Sequence, residues 1–450
     1  MKILGLSKST VKEYFIKGKI TFAVYGLGKM GLPLATILAN YGAMVIGVDI
    51  NEEIVKKINM GISHIENEPE LDSLVKKNVE AGRLYATNDG IYAAKKSDVQ
   101  IILVPTLADD KGNLNLKSVF DIAETISKGL EKGDIVITES TMPPGTTEKL
   151  IPILEKSGIK IGDFGIAHAP ERTMSGTAIR DITLQYPKII GANSIETLEA
   201  VKGIYEVINR KGVISMSSIK AAEAVKVFEG VYRDVNIALA NELALWCEEN
   251  GLDALEIIRA ANTQPYCHIH MPGAGVGGHC IPIYPWFIIN SAKKTNMELL
   301  VKARERNDFM PRHIVELIIK ALNKIGKALK DSNILILGLT FRGGVKEFRK
   351  SPALDIIKEL KEWGAKIFVY DPICTPKDAV KLGVMWKEDY KDIDAIIITN
   401  DHKEFKELDI SLIDKQVRNK IIIDGRNILD SKRLDKKGFI YYRVGYIPER

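Results

Sequence analysis

Cysteine is scarce in this chain. Four residues of 450 are cysteine (Cys247, Cys267, Cys280 and Cys374), and no two stand in a C-x-x-C pair. That excludes a disulfide scaffold and a multi-cysteine zinc module, though not a single reactive thiol. Long apolar runs are also missing. Segments such as Ile101–Val104 and Ile421–Ile423 are strand-length, far short of the ~18 residues a membrane span needs. Met1–Lys19 carries Lys8, Lys12, Glu13 and Lys17 and has no apolar stretch of signal-peptide length, so a cytoplasmic protein without membrane attachment is expected. Charge of one sign is weak too. The net +5 is the small difference between 63 basic and 58 acidic residues. The two signs are interspersed, without a basic run or an aromatic-interleaved basic stripe, which argues against nucleic acid as a partner.

What is present is enough for several cores. At ~100–200 residues per domain, 450 residues make two to four domains, and 46% of them are apolar. Strand-like runs at Thr21–Tyr25, Met44–Asp49, Val99–Val104, Asp134–Glu139 and Lys188–Ile190 alternate with amphipathic stretches at Ile54–Asn59 and Val119–Leu130. That alternation predicts a parallel, doubly wound sheet. From Ser218 to Asn250 there is no proline and one glycine, Gly230, which predicts a single helix of roughly 50 Å at 1.5 Å per residue. Pro272–Pro285 reads as a turn-rich loop, and helical patterning resumes over Leu299–Leu329. Strands return at Asn333–Leu337, Lys366–Tyr370, Ala395–Thr399 and Lys420–Asp424, with a helix at Pro352–Trp363. The expected fold is α/β, with two Rossmann-like doubly wound parallel-sheet domains joined by a helical domain with one long central helix. Its expected boundaries are an N-terminal extension (1–20), a first Rossmann domain (21–215), a helical domain (216–330) and a second Rossmann-like domain (331–450).

Gly26-Leu27-Gly28-Lys29-Met30-Gly31 lies between a predicted strand and a predicted helix, and the next strand ends in Asp49. Each part has a physical task. Gly26 makes the tight turn, Gly28 lets the backbone approach a pyrophosphate, and Gly31 allows close helix packing. Asp49 meets a ribose 2′-hydroxyl and would repel a 2′-phosphate. The implied cofactor is NAD. The later Gly338-Leu339-Thr340-Phe341 lacks the full fingerprint but is followed by Arg342, Gly343, Gly344 and Arg349. That cluster suits either phosphates held by guanidinium groups or a basic surface.

Gly273, Gly275, Gly277 and Gly278 crowd just before His279-Cys280. Such a loop brings backbone N–H groups near a ligand, which singles out Cys280 among the cysteines as a thiolate candidate. The other three read as structural. His279 and Cys280 are not expected to form a dyad, since sequence neighbours on a loop often point apart. Lys226, Arg233 and Asn236 fall on one side of the long helix, where an amphipathic surface with snorkelling lysines is the plainer reading. His268 and His270 lack partners at metal-ligand spacing, so no metal is expected.

Taken in order, these segments resemble the nucleotide-sugar 6-dehydrogenases, the UDP-glucose/UDP-N-acetylmannosamine dehydrogenase family. The likeness covers nearly the whole chain from about residue 20. It rests on Gly26–Gly31, Val104-Pro105-Thr106, Ser140–Gly145, Pro170-Glu171-Arg172, Ala222–Lys226, Gly277-Gly278-His279-Cys280 and Arg349–Ala353. Ala167–Arg172, Arg233–Ala238, Ala240–Leu243, Pro272–Cys280 and Pro285-Trp286-Phe287 look like the branch that uses UDP-N-acetyl-D-mannosamine, with the UDP-N-acetylglucosamine and UDP-glucose branches as the alternatives. The resemblance implies four-electron oxidation of a sugar C6 hydroxyl with two NAD, through a cysteine thiohemiacetal and thioester. It makes Cys280 the nucleophile, Lys226 the oxyanion partner and Glu171 a carboxylate near the reacting centre. It puts Thr106 and Thr141 on the cofactor side. Arg172, Thr173, Arg233 and Gly277 fall at the substrate site, with Asn236, His268 and His270 as further candidates there. Phe341, Arg342, Arg349 and Arg426 fall on the UDP side. A UDP-sugar and a second copy of the chain are the expected partners, since a ~50 Å helix needs something to cover it.

Four positions depart from the family pattern. Gly230 stands where Asn is common, Tyr284 where Asp is common, Phe341-Arg342 where an aromatic–Lys pair is common, and Gln264-Pro265-Tyr266 where His-Pro-Arg is common. Two rivals share parts of the pattern: a two-electron hydroxyacid dehydrogenase, and a non-catalytic NAD-responsive protein. The first needs no cysteine and no third block.

Overall fold

The computed structural model describes residues 2–109, 113–174 and 176–448. The chain forms two compact units, 1–229 and 230–450. The boundary lies inside the long helix, Ile219–Glu249, so the helical block expected at 216–330 is divided between them.

The first unit is built on an eight-stranded sheet. Its strands are β1 (Thr21–Tyr25), β2 (Met44–Val48), β3 (Leu84–Thr87), β4 (Val99–Ile102), β7 (Ile135–Thr138), β8 (Gly165–His168), β9 (Lys188–Ala192) and β10 (Val213–Ser215). A separate short antiparallel pair joins β5 (Leu107–Ala108) to β6 (Leu114–Asn115). The sheet order is β10-β9-β8-β7-β4-β1-β2-β3. Strands β8, β7, β4, β1, β2 and β3 run parallel, and the order reverses between β1 and β4, which opens a crevice beyond their carboxyl ends. Strand β9, expected in a parallel sheet, instead runs antiparallel to β8. The sheet is buried on both faces, as its sequence alternation requires. Phe22 and Val24 of β1 enter one core, while Ala23 and Tyr25 enter the other.

The N-terminal segment is part of this unit. Ser7 caps a helix over Lys8–Ile16, its side chain accepting from the Thr10 amide. Val11 and Phe15, one turn apart, are fully buried, each worth roughly 1.5–3 kcal/mol by burial. The helix lies against Ile195–Ile208, where Gly203 permits the approach: a Cβ there would stand 2.9 Å from the Lys8 carbonyl oxygen.

The second unit holds a six-stranded, wholly parallel sheet. Its strands are β11 (Asn333–Leu337), β12 (Lys366–Tyr370), β13 (Met385–Trp386), β14 (Ala395–Ile398), β15 (Ile421–Asp424) and β16 (Ile440–Arg443), in the order β13-β12-β11-β14-β15-β16. Again the order reverses beside the first strand, between β11 and β14. Ile334 and Ile336 face one core, Leu335 and Leu337 the other. Helices Ala254–Ala261, Tyr284–Ser291 and Glu298–Lys324 precede this sheet.

Buried Asp371, just past β12, accepts from the Leu339 amide at 2.8 Å and the Thr340 amide at 3.2 Å, and pairs with His402 Nε2 at 3.2 Å. Burial pushes its carboxyl up, but His402 and the two amides outweigh that and hold it well below the usual carboxylate range. A depressed carboxylate stabilises the fold above its unfolded pKa of ~3.9, and that contribution fades as pH falls through the folded value. Asp371→Ala should therefore lower the unfolding free energy of the second unit by roughly 3 kcal/mol at neutral pH, with the gap to wild type narrowing in acid. Urea titrations at several pH values measure it; a constant gap would contradict the assignment.

Candidate functional site

In the first unit, the glycine loop leaves β1 at the crevice. Gly26 has φ +92° and packs on the Leu103 carbonyl beyond β4, so no Cβ fits. Gly31 packs on the Gly26 carbonyl and opens helix Gly31–Asn40. At Gly28 a Cβ would meet nothing within 4 Å. This is the arrangement the three tasks require: two glycines consumed by packing and one leaving room for a ligand. Asp49 Oδ2 accepts from the Leu27 amide at 3.0 Å and Oδ1 from the Asn51 amide at 2.9 Å. The residues fit NAD: an open backbone approach at a helix start, with a carboxylate at the end of the second strand. Lys29 is exposed beside them.

Around that loop the structure assembles other predicted residues. Thr106 Oγ1 donates to the Thr141 carbonyl at 2.7 Å, joining the loops after β4 and β7. Ser140 Oγ accepts from the Val104 amide at 2.9 Å. Thr173 Oγ1 donates to Met30 Sδ at 2.9 Å, and the Thr173 amide donates to Glu171. Glu171 in turn pairs with Lys226 Nζ at 3.2 Å, both side chains largely buried. Burial raises the Glu171 carboxyl, but Lys226, then Thr173 and Lys188, bring it below its ordinary value, so it is an anion at neutral pH. A continuous line of contacts, Met30–Thr173–Glu171–Lys226, thus connects the cofactor loop to the helix lysine. Arg172 turns aside to Glu229 and to the Pro187 carbonyl at 2.7 Å, stacked 4.7 Å over the Tyr186 ring. On the same helix as Lys226, Glu223 accepts from the Thr147 amide at 2.7 Å and from the Gly145 amide. That carboxylate ties the Ser140–Gly145 segment to the helix; in sequence only its place one turn before Lys226 hints at it.

In the second unit, the loop before Cys280 is stitched to two others. Ala274 donates to the Gly425 carbonyl at 2.8 Å, and Asn427 Nδ2 to the Pro272 carbonyl at 3.2 Å. Arg426, between those residues, pairs with Asp401 at 3.5 Å. Gly277 and Gly278 press on Phe341, where a Cβ would come within 2.7 and 3.0 Å of the side chain. The Gly278 amide donates to the Arg349 carbonyl at 2.9 Å, and the Gly273 amide to Asn241 Oδ1 at 2.9 Å. The glycine density is therefore explained by close packing, and these two amides are committed to the protein rather than turned to a thiolate. Gly277, Cys280, Phe341, Arg349 and Arg426 are drawn into one neighbourhood, with Arg342 5.8 Å over the Phe341 ring.

Asn236 holds the approach to this loop. Its Nδ2 donates to the His268 carbonyl at 2.9 Å and its Oδ1 accepts from the His270 amide at 2.8 Å. His270 sits edge-on to Tyr232 at 5.7 Å. Burial, then the Arg233 charge, keeps its imidazole below the ordinary value. Tyr266, within the departing Gln264-Pro265-Tyr266 segment, points to solvent. Cys247 is buried in the core, as a structural cysteine should be. Burial and Asp371 push the Cys374 thiol far up.

One sequence expectation is corrected. The His279 and Cys280 side chains are hydrogen-bonded to each other, and His279 Nδ1 also meets Glu347 Oε1 at 2.9 Å. Both residues lie in a bend rather than an extended strand, so the alternation that would send neighbours apart does not apply. Glu347 escaped sequence reading because it lies 67 positions beyond Cys280 on another loop.

The two main departures prove to be one. Gly230 and Tyr284 touch: a Cβ on Gly230 would overlap Tyr284 Cδ2 at the ring edge and stand 3.1 Å from Tyr284 Cβ. The ring occupies the space that a side chain at position 230 would need. Gly230→Asn alone should cost about 1–3 kcal/mol through overpacking, whereas Gly230→Asn with Tyr284→Asp should recover most of it. A double-mutant cycle in thermal or chemical denaturation checks this; additive losses would refute the coupling.

Comparison with known proteins agrees with this arrangement. Three domain descriptions of the UDP-glucose/GDP-mannose dehydrogenase family match in order: the NAD binding domain over residues 20–209, the central domain over 220–309 and the UDP binding domain over 335–431. A UDP-N-acetyl-D-mannosamine dehydrogenase of Pyrococcus horikoshii is 39% identical over 427 residues, 94% of this chain and 98% of that protein. A solved structure of UDP-D-ManNAc dehydrogenase from Pyrococcus horikoshii superposes with a TM-score of 0.86 at 37% identity, covering 95% of this chain and 99% of that one. An NDP-N-acetyl-D-galactosaminuronic acid dehydrogenase from Methanosarcina mazei gives 0.83 at 29% identity, covering 98% of each. With both Rossmann sheets, the cofactor loop and all three domain matches in place, the chain belongs to the UDP-glucose/GDP-mannose dehydrogenase family.

Proposed function

We propose that this NAD-dependent UDP-sugar dehydrogenase oxidises C6 of UDP-N-acetyl-D-mannosamine to the uronate, with Cys280 as nucleophile. The substrate assignment is supported by the relatives of that name. The observation that carries the chemical reading is the contact line Met30–Thr173–Glu171–Lys226, which sets a buried ammonium and carboxylate beside the cofactor loop.

NAD supplies the hydride acceptor for both oxidations. The chain does the rest. Lys226 offsets the negative charge that develops on the C6 oxygen, and Glu171 fixes the ammonium in place. The Cys280 thiolate captures the intermediate aldehyde as a thiohemiacetal, so that it does not escape; the second oxidation leaves a thioester. Water then cleaves the thioester, releasing acid and thiol. With Gly230 and Tyr284 at the two departing positions, we assign the activation of that water to Glu171. The guanidinium groups of Arg342, Arg349 and Arg426 suit the diphosphate. A homodimer is proposed along the long helix, where Tyr232, Leu239, Leu243 and Trp246 lie exposed at spacings of 7, 4 and 3.

NADH release per sugar tests the reaction: two equivalents are expected, one for a two-electron dehydrogenase and none for a binding protein. Across UDP-N-acetylmannosamine, UDP-N-acetylglucosamine and UDP-glucose, the first should react fastest; comparable rates would overturn the substrate assignment. Cys280→Ser should stop before acid release. Glu171→Gln should slow turnover about 10²-fold or more and accumulate thioester, seen by intact-protein mass spectrometry. Unchanged turnover and thioester level would remove Glu171 from hydrolysis.

A further inference from the structure

We propose that His279 is the charge partner of the Cys280 thiolate and that Glu347 is the positioning residue that keeps His279 in that role. This rests on the reading of Cys280 as nucleophile and deepens it. Three observations within the second unit carry it. The His279 side chain is hydrogen-bonded to Cys280 on one side and to Glu347 Oε1, at 2.9 Å, on the other. The loop bearing Glu347 is fixed against the loop bearing Cys280, through the Gly278 amide to the Arg349 carbonyl at 2.9 Å and the packing of Phe341 on Gly277 and Gly278. Glu347 is itself held, its carbonyl accepting from the Phe341 amide at 3.0 Å and its amide donating to the Val345 carbonyl at 2.9 Å.

An exposed His–Glu pair alone would be worth little. Here the imidazole also contacts a sulfur, and that changes its chemistry. A proton passes from the Cys280 thiol to the imidazole; the thiolate and imidazolium that result attract each other, and the Glu347 carboxylate stabilises the cation. The same two neighbours, Cys280 first and then Glu347, raise His279 to about 10. They are the charged groups acting on the imidazole; the basic residues of the facing loop, Lys346, Arg349 and Lys350, lie beyond them in sequence on either side of Glu347. This role also stands in for the amides of Gly273 and Gly278, which are already committed to Asn241 and Arg349.

The test is site-resolved. Full-length protein is alkylated with iodoacetamide over a range of pH, and the Cys280 and Cys267 peptides are quantified from the same digest. In the wild type, Cys280 should reach half-maximal rate well below the ~8.5 of an ordinary thiol, with the Cys267 peptide as the internal control. His279→Gln should raise the Cys280 midpoint by about one pH unit or more, and Glu347→Gln should raise it less, with Glu347→Asp closer to wild type. Cys267 should not move in any variant. A Cys280 midpoint unchanged by His279→Gln overturns the pairing, even if Cys280→Ser is inactive. Conversely, normal acid production by Cys280→Ser overturns the nucleophile reading on which the role rests, whatever the titration shows. His279 is exposed at the surface, and its side chain is 53% accessible, so the variant should fold; Glu347→Gln gives an independent reading.

Discussion

In both units one carboxylate, placed just beyond the second strand, grips the loop that leaves the first. Asp49 takes the Leu27 amide and Asp371 takes those of Leu339 and Thr340. The equivalence extends to the backbone: Gly26 donates to Val48 and Gly338 to Tyr370, each at 2.8 Å. Past that grip the two units diverge. Around Asp49 the third residue of the loop is Gly28, with open space where its side chain would be, and a dinucleotide can lie against the backbone. Around Asp371 the corresponding position is Thr340, whose hydroxyl meets Asp371, His402 and Asn400. The same framework serves as a cradle in one unit and as a filled polar core in the other.

That difference bears on how much could be read from the sequence. The central strands were legible because runs such as Ile334–Leu337 and Ala395–Ile398 are apolar on both faces, as strands covered by helices must be. Strands β3, β8 and β16 were not. Leu84–Thr87 is short and only alternately buried, Gly165–His168 mixes glycine and histidine, and Ile440–Arg443 ends in a buried Arg443 that pairs with Asp253. The N-terminal helix was hidden for a related reason: its buried face in Lys8–Ile16 is only Val11 and Phe15, set among polar residues.

The site was legible where function is local in sequence and obscure where it depends on packing. The roles of Gly26, Gly28 and Gly31 followed from spacing, because each acts on its own turn. The glycines before Cys280 carried the opposite lesson. Their neighbours are Phe341, Lys350, Pro311 and Gly425, all distant in sequence, and only the fold shows that they are small in order to let loops meet. Gly230 and Tyr284 likewise looked like two separate losses; in space the larger side chain fills what the smaller one vacates.

The helix over Lys8–Ile16 has a consequence for inheritance. The family's NAD-binding description begins at residue 20, yet the cover over Ile195–Ile208 begins before it. Gly203 admits that cover because the Lys8 carbonyl and Val11 occupy the place of its side chain. A relative that lacks the leading helix is under no pressure to keep a glycine there, while one that has it can hardly accept anything else. Residue 203 thus serves as a marker: its identity across the family should track whether a chain starts with this helix.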